Sequence, residues 1–476
     1  MATIGLLTMS DGRDFAYRDV LGHCRANEDQ IAVTLERAGH RVIRARTVIG
    51  DNIAATGEAR RVAAQRPDLT IFHYPVWAFP HFTMLAAEAT DGPLLLFSNM
   101  DPKYPGMVGL LAAGGGLDQL GRHHGRLCGD IRTPSVREAL ERHVRAAFAV
   151  RSLAGSTFGR IGGRPMGMYT AASSTEQWMD IFGVDVEEID QWEIVRRAER
   201  VPATRAAAGR RWIEERAAAV RYDGRALTPE LLERQIRAYH AVRELIDEWH
   251  LDFCGIKGQP ELTTHFVTTD VAEAFLNDPY DWEGPKPPTV CATESDMDGA
   301  LTMRILHLLA GTPALFADVR HYHAQHDVWD LCNSGQHATW YAARSDDPAE
   351  NLARVQFLPE TFYFPAGGAS VRHIAAPGEM TFARLSRLHH GYRLQVVAGR
   401  LLSFGTAVDE ELAGQSNPEW PHAYAQLDVP AAEFLRRFGA NHIHAVPGDH
   451  VEELRMVAEL LGLDLDVLGI RRETAG

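Results

Sequence analysis

The chain has 476 residues and a mass of 52.7 kDa, which at about 150 residues per domain suggests about three domains. Hydrophobic residues make up 45% and charged residues 23%, the balance of a folded globular protein, and the apolar runs are too short to cross a membrane. The 48 basic and 63 acidic residues give a net charge of −15, which argues against a nucleic-acid partner because such proteins need a basic surface.

The first predicted domain, residues 1–165, alternates short apolar runs with amphipathic helical segments. Strands are predicted at residues 4–9, 42–46, 69–74 and 94–98, because these runs are almost continuously apolar, as buried parallel strands are. Helices such as 27–38 and 54–65 lie between them, which is typical of an open parallel sheet. The run Gly114, Gly115 and Gly116 lacks the spacing of a phosphate-binding loop, so we expect it in a loop or a helix cap.

A second α/β domain is predicted for residues 166–345. It begins with a strand at 164–169, followed by a long charged helical region at 187–221 and a helix at 229–249. Further strands are predicted at 253–256, 289–293 and 314–319. These elements predict a second doubly wound parallel sheet.

The third predicted domain, residues 346–476, has a different pattern. Short β-like pieces separated by glycine and proline predict an antiparallel or barrel-like sheet, with strands at 355–358, 371–374, 381–388 and 392–403. A strand at 442–446 and a helix at 450–461 complete it. The predicted fold class is therefore α/β, with two doubly wound parallel-sheet domains followed by a β-rich, barrel-like C-terminal domain.

Carboxylates follow two strands of the predicted second domain. An apolar run leads into Glu294, with Asp296 and Asp298 at the start of the next helix, and the following strand delivers Asp318. Because ligands bind at the carboxyl ends of strands in open α/β sheets, we expect Glu294 and Asp318 to converge. Such a pair binds a divalent cation or transfers protons between adjacent carbons. In the alternative, Glu294 caps a helix and Asp318 pairs with an arginine such as Arg320.

Histidines occur near the C-terminus and directly after Asp318. Strand alternation at 441–446 puts His442 and His444 on one face, where an imidazole would complete a carboxylate-rich site suited to Mn²⁺. A lone histidine at such a position is otherwise structural. We expect His321 and His323, which are two residues apart, to be structural or to support the site without binding the metal.

Three sequence strings carry a resemblance to a known family: CATESDMDGAL (291–301), ALFADVR (314–320) and ANHIHAVPGD (440–449). They resemble the metal-site segments of the L-fucose isomerase family, whose relatives include L-arabinose isomerase. Shorter matches, SDGR (10–13), IKGQPE (256–261) and EWPHA (419–423), extend the resemblance along the chain.

The resemblance implies an aldose–ketose isomerase, an intramolecular oxidoreductase acting on an open-chain monosaccharide. It implies that Mn²⁺, or another divalent cation, is bound by Glu294, Asp318 and His442, and that Glu294 and Asp318 are also the acid/base pair. The implied substrate contacts are Arg13, Gln259, Trp420 and Asn441. The family fold is similar to the three-part architecture predicted above and is usually assembled as a homo-hexamer.

The sequence leaves the substrate open. L-Fucose or D-arabinose is the first expectation, but some shorter members of the family resemble isomerases of the sulfonated sugar sulfoquinovose, which give 6-deoxy-6-sulfofructose. A sulfonate needs arginine or histidine donors, and Arg13, Arg320 and the cluster His321–His326 supply candidates. Other classes compatible with the residues are a metal-dependent sugar hydrolase or aldolase and a sugar-binding protein without catalysis.

The cysteines and the N-terminal segment predict a cytoplasmic protein. The five cysteines are widely spaced and include no Cys-x-x-Cys pair, which favours reduced thiols over disulfides or structural zinc. The N-terminal segment lacks the basic stretch and apolar core of a signal peptide. The missing signal argues against a periplasmic sugar-binding protein, and so does the carboxylate-rich centre, because a neutral binding cleft needs no metal.

Overall fold

The computed structural model describes residues 1–334 and 337–469 of the chain. The chain divides into two compact units. The first comprises residues 1–154 and 452–463, and the second comprises residues 155–451 and those from 464 onward. Among the described residues no helix combines the length and the apolar surface needed to cross a lipid bilayer.

The first unit is built on one parallel sheet. Its strands are β1 (Thr3–Thr8), β2 (Arg41–Arg44), β3 (Leu69–His73), β4 (Leu94–Ser98) and β5 (Gly125–Cys128). They lie in the order β2-β1-β3-β4-β5. The helices of residues 1–154 are α1 (Asp14–Arg37), α2 (Asn52–Ala63), α3 (Pro80–Ala87), α4 (Gly106–Gln119) and α5 (Pro134–Leu153).

The strands predicted for this unit are confirmed to within two residues at each end. Every residue of β3 and β4 is buried, as expected for a sheet covered on both faces. The sequence does not predict β5, because its four residues include too few apolar side chains to stand out. Gly114, Gly115 and Gly116 lie inside α4, so the expectation of a loop or a cap is wrong.

The second unit contains another parallel sheet, in the order β12-β9-β6-β7. These strands are β6 (Thr157–Ile161), β7 (Asp185–Ile189), β9 (Phe253–Ile256) and β12 (Cys291–Thr293). The associated helices are α6 (Thr175–Phe182), α7 (Trp192–Ala198), α8 (Ala203–Arg216), α9 (Pro229–Trp249), α10 (Glu261–His265), α11 (Asp270–Asn277) and α12 (Met297–Ala310). Small additional strands are β8 (Ala219–Val220), β10 (Tyr280–Asp281) and β11 (Gly284–Pro285).

Two predictions for this part of the chain are wrong. Residues 164–169 are turns rather than a strand, because Met166 and Gly167 adopt positive φ angles of 42° and 74° that a strand does not allow. The region 187–221, predicted as one long helical region, contains the end of β7, the separate helices α7 and α8, and the short strand β8. Pro202 lies at the N-cap of α8.

A mostly antiparallel sheet forms the rest of the second unit. Its strands are β13 (Leu315–His323), β14 (Val328–Cys332), β17 (Gly378–Leu388), β18 (Gly391–Leu402), β19 (His422–Leu427), β20 (His442–Pro447) and β21 (Asp464–Val467). They lie in the order β17-β20-β13-β14-β19-β18-β21, and β17 also pairs with β18, so six strands close into a ring. The predicted fold class, including the barrel-like C-terminal part, is confirmed.

The remaining elements complete the chain. They are a 3₁₀ helix (Thr339–Ala342), α13 (Pro348–Leu352), β15 (Gln356–Pro359), β16 (Ala369–Arg372), α14 (Thr406–Gly414), α15 (Ala431–Arg437) and α16 (Val451–Leu461). Strands β16, β15 and β8 form a separate sheet in that order. The domain boundaries at 165 and 345 stay predictions.

The strand predicted at 314–319 is longer than expected and belongs to a different sheet. It is part of β13, which pairs antiparallel with β14 and β20 in the barrel. The connection from β13 to β14 spans only residues 324–327, and a connection that short joins antiparallel strands, whereas parallel strands need a crossover.

Candidate active site

Glu294 follows β12 at the carboxyl edge of the parallel sheet. Glu294 and Ser295 both have left-handed backbones, with φ angles of 54° and 49°. Such conformations cost about 1–3 kcal/mol each in residues other than glycine and cluster at functional sites. The amide of Ser295 donates to the carbonyl of Ile256 at the end of β9 (2.9 Å), which holds the turn. The helix cap is Asp296, which accepts from the amide of Gly299 (2.9 Å), so the alternative role of Glu294 as a cap is wrong.

Asp318 lies within β13, opposite Cys332 of β14 and His442 of β20. The expectation that Glu294 and Asp318 end neighbouring strands of one parallel sheet is therefore wrong. The two carboxylates nevertheless meet at the imidazole of His442. Its Nε2 lies 3.1 Å from Oε2 of Glu294 and 3.4 Å from Oδ1 of Asp318.

His442 is buried and is oriented through its other ring nitrogen. Nδ1 lies 2.7 Å from Oδ2 of Asp296, while Nε2 faces the two carboxylates with no hydrogen-bond partner of good geometry. Burial opposes protonation of His442, but the contacts with Asp296 and Glu294 outweigh it and raise the pKa to about 10. Burial also raises the pKa of Asp318, against the opposing effect of His442.

The donor set suits a divalent cation. Two carboxylates and one imidazole nitrogen are ligand types that Mn²⁺ accepts, and a metal-binding histidine typically donates its other N–H to a carboxylate, as His442 does to Asp296. In the described part of the chain, no group of three or more His, Cys, Asp or Glu side chains already has the geometry to hold a metal ion. Because Nε2 of His442 lies within 3.4 Å of both carboxylates, these side chains would have to separate to hold an ion between them.

A second layer of buried polar groups surrounds Asp296. The guanidinium of Arg384 on β17 donates to Oδ2 of Asp296 (2.5 Å) and to Oδ1 (3.1 Å). It also donates to Nε2 of His444 (3.1 Å) and to the carbonyl of Thr170 (2.7 Å). Despite burial, Arg384 and His442 hold the pKa of Asp296 well below its usual range. Arg384 is not among the residues predicted from the sequence, although a charged residue in an apolar strand is a signal for a buried polar site.

Asp298 has different partners from Asp296. It accepts hydrogen bonds from Nε1 of Trp178 (3.2 Å) and from the hydroxyl of Tyr392 (3.0 Å). Burial raises the pKa of Asp298 to about 6. The prediction that Asp296 and Asp298 lie at the start of a helix is confirmed for both.

Two asparagines hold Asp318. Asn441, a predicted substrate contact, donates to Oδ1 of Asp318 (3.3 Å) and accepts from the hydroxyl of Thr170 (3.1 Å). Asn333, which follows β14, donates to Oδ2 of Asp318 (3.1 Å). Asn333 is not predictable from the sequence, because only the pairing of β13 with β14 brings it to Asp318.

The other three predicted substrate contacts, Gln259, Trp420 and Arg13, belong to different parts of the fold. Gln259 is half-buried in the loop after β9, at the same edge of the sheet as Glu294. Trp420 is buried and donates from Nε1 to Oε2 of Glu360 (3.0 Å), and the guanidinium of Arg320 lies 5.3 Å from its ring centroid. Arg13 belongs to the first unit, where it pairs with Asp11 through Nε (2.9 Å).

The histidines further along β13 have their own neighbours. The ring centroids of His321 and His323 lie 4.8 Å apart, and those of His326 and Phe404 lie 4.9 Å apart. His321 is exposed and His323 is buried. These contacts fit the structural or supporting role expected for them.

Comparison with known proteins gives the family. Residues 1–155, 248–311 and 331–468 match, in that order, the first N-terminal, second N-terminal and C-terminal domains of L-fucose isomerase. The chain is 25% identical to the L-fucose isomerase of Salmonella arizonae over 92% of this chain and 88% of that protein. It is 26% identical to the L-fucose isomerase of Klebsiella pneumoniae over the same shares.

The fold and these matches define an aldose–ketose isomerase that acts on a sugar, and thus an intramolecular oxidoreductase. The chain belongs to the L-fucose isomerase family, which confirms the resemblance found in the sequence. Metal dependence is a general property of this family.

Proposed function

We propose that this protein converts an open-chain aldose into its ketose with Mn²⁺, or another divalent cation, held by Glu294, Asp318 and His442. The observation that carries the proposal is the position of His442. Its Nε2 lies within 3.4 Å of both carboxylates, while Nδ1 is anchored on Asp296. A purely structural histidine does not need two acidic groups at a nitrogen that makes no hydrogen bond.

The proposed reaction moves one proton between C1 and C2 of the sugar and another between the two oxygens. The bound cation would polarise the carbonyl and stabilise the enediolate. Glu294 and Asp318 approach the same imidazole nitrogen, so their carboxylates border one small space. One of them takes the carbon-bound proton as general base and the pair returns it to the neighbouring carbon. Asn333 and Asn441 hold Asp318 in place through its two oxygens.

L-Fucose and D-arabinose are the first proposed substrates, because the curated relatives carry the name L-fucose isomerase. The side-chain amides of Gln259 and Asn441 would form hydrogen bonds with sugar hydroxyls. Arg13 and Trp420 are further proposed contacts. By analogy with the family we also propose a homo-oligomer, with the hexamer as the first expectation. Five free thiols fit the reducing cytoplasm as its location.

The test is a panel of aldoses assayed for ketose formation with purified protein and added Mn²⁺. We expect at least one aldose, with L-fucose and D-arabinose tested first, to give ketose at a rate that depends on the metal. A protein that binds a sugar but neither binds metal nor forms ketose would contradict the proposal and favour a binding protein. Cleavage products instead of ketose would favour a hydrolase or an aldolase.

A second candidate substrate is sulfoquinovose, and Arg320 favours it. Arg320 lies two residues after Asp318, is exposed, stacks over the ring of Trp420 and donates to Oδ1 of Asn417 (2.5 Å). An exposed guanidinium held beside a sugar site is a donor for the sulfonate oxygens. A neutral sugar such as L-fucose has no group that needs this charge.

If the substrate is sulfonated, kcat/KM for sulfoquinovose should exceed that for glucose by orders of magnitude. Arg320→Met should then reduce kcat/KM for sulfoquinovose about 10- to 100-fold, the loss expected for hydrogen bonds to a charged group, and leave the rate with glucose unchanged. Arg400→Met is the matched control, because Arg400 is exposed on β18 and its guanidinium donates to the side chain of Gln426 (3.0 Å), away from the proposed site. Equal kcat/KM for the two sugars would exclude the sulfonate substrate.

A further inference from the structure

The two histidines of β20 lie on one face of the strand and meet different partners. His442 and His444 are both fully buried, and Phe316 of β13 packs against both rings. Strand alternation alone therefore does not decide which of the two is the metal ligand. The hydrogen-bond partners of their ring nitrogens distinguish them.

The hydrogen bonds fix the proton on each ring. A carboxylate only accepts, so the contact of His442 with Asp296 (2.7 Å) places a proton on Nδ1 of His442. An arginine only donates, so Nε2 of His444 must accept from Arg384 (3.1 Å), and the proton of a neutral His444 is on Nδ1. The Nε2 lone pair of His444 is occupied by Arg384. Nε2 of His442 faces Glu294 and Asp318 instead.

One side chain joins these two arrangements. Arg384 is 1% exposed, and its guanidinium donates hydrogen bonds to both carboxylate oxygens of Asp296, which is 0% exposed. Asp296 is also fixed from a third side as the cap of α12, through the amide of Gly299. A buried ion pair of this kind is weak evidence for stability, since apolar groups of similar volume often replace one without loss. It does fix the direction of the groups that it contacts.

We infer that Arg384 is a positioning residue for the metal ligand: through Asp296 it aims Nε2 of His442 at Glu294 and Asp318, and by donating to His444 it keeps that histidine from binding the metal. The inference rests on the proposed function, because it assumes a cation at Glu294, Asp318 and His442. It assigns a role to Arg384 and selects His442 over His444.

The test is the affinity of the full-length protein for Mn²⁺, measured by the electron paramagnetic resonance signal of the free ion. The wild-type protein comes first and should bind Mn²⁺ with nitrogen hyperfine coupling from one histidine. If it binds no Mn²⁺, or if the coupling persists in His442→Ala, the proposed metal site fails and the inference falls with it. With wild-type binding and its dependence on His442 established, the remaining variants test Arg384 alone.

Arg384→Met and Asp296→Asn should each weaken Mn²⁺ binding about 10- to 100-fold, as the loss of a partner behind a metal ligand does. The double variant should bind no more weakly than the weaker single variant, because both changes break the same chain of contacts. His444→Gln should keep the affinity and the nitrogen coupling of the wild type, since the glutamine oxygen can still accept from Arg384.

The matched control is Asp298→Asn. Asp298 is another buried carboxylate on the first turn of α12, but it bonds to Trp178 and Tyr392 rather than to His442. We expect its Mn²⁺ affinity to stay within about twofold of the wild type. Arg384→Lys keeps the charge but cannot donate to both oxygens of Asp296 in the same way, so its loss of Mn²⁺ affinity should be intermediate. It replaces Arg384→Met in the test if that variant does not fold. Wild-type affinity in the Arg384 variant that folds, additive losses in the double variant, or an equal loss in Asp298→Asn would overturn the inference.

Discussion

Glu294→Gln and Asp318→Asn should each lower kcat by about 1,000-fold or more, because removal of a general acid or base costs about 10²–10⁴ and each residue is also a proposed metal ligand. Both substitutions keep the shape of the side chain and remove its charge. The carboxylates meet at Nε2 of His442, at 3.1 and 3.4 Å, so each substitution removes one of the two proposed acid/base groups at that point. The fold should persist, because the apolar residues of β12 and β13 stay in place.

The measurement is the initial rate of ketose formation at saturating sugar and at several Mn²⁺ concentrations. Added metal should not restore either variant, since the missing group also moves protons. Glu188→Gln is the matched control, because Glu188 is an exposed acid of β7 in the same parallel sheet as β12. Its rate should equal that of the wild type. A rate near the wild-type value for Glu294→Gln or Asp318→Asn, in a protein with an unchanged melting temperature, would remove that residue from the mechanism.

Removal of divalent cations by a chelator should reduce turnover to the background rate, and added Mn²⁺ should restore it. In His442→Ala the restoration should need at least about 100-fold more Mn²⁺, because a ligand itself is lost rather than a group behind it. His442 contributes no proton transfer in the proposed reaction, so excess metal should recover part of the wild-type kcat. Titration of activity against free Mn²⁺ measures both effects.

The control for this titration is His389→Ala, since His389 is exposed at the turn between β17 and β18. Its Mn²⁺ dependence should match that of the wild type. Undiminished turnover after chelation would show that no exchangeable cation takes part in catalysis. An unchanged Mn²⁺ requirement in His442→Ala would show that His442 is not the third ligand.

Local signals in the sequence account for most of the predicted fold. The helix predicted at 229–249 is observed with the same limits, because Thr228 caps it and Pro229 occupies its first turn. The strand at 94–98 is likewise observed as predicted, since all five residues are buried in a parallel sheet. Such elements depend on their own residues and not on distant ones.

The site was predictable only in part, because it depends on pairing between distant segments. The sequence indicates Glu294 and Asp318 as a convergent pair, yet for a wrong reason: Asp318 reaches Glu294 through a barrel strand and not through a neighbouring parallel one. Nothing local connects Arg384 with Asp296, since their contact depends on how β17 and α12 pack. Strand register likewise decides that Asn333 reaches Asp318.

The position of β20 in the barrel has a consequence for the order in which the protein is made and folded. β20 lies between β13 and β17, although it begins at residue 442, whereas β13 ends at 323 and β17 ends at 388. During synthesis both of these strands therefore exist before the strand that joins them, and each exposes an edge able to pair with another chain. His442 is the first residue of β20, so the arrangement of Glu294, Asp318 and His442 cannot form before this strand is inserted. Nascent chains that end before β20 lack His442 and carry two unpaired strand edges, which favour aggregation.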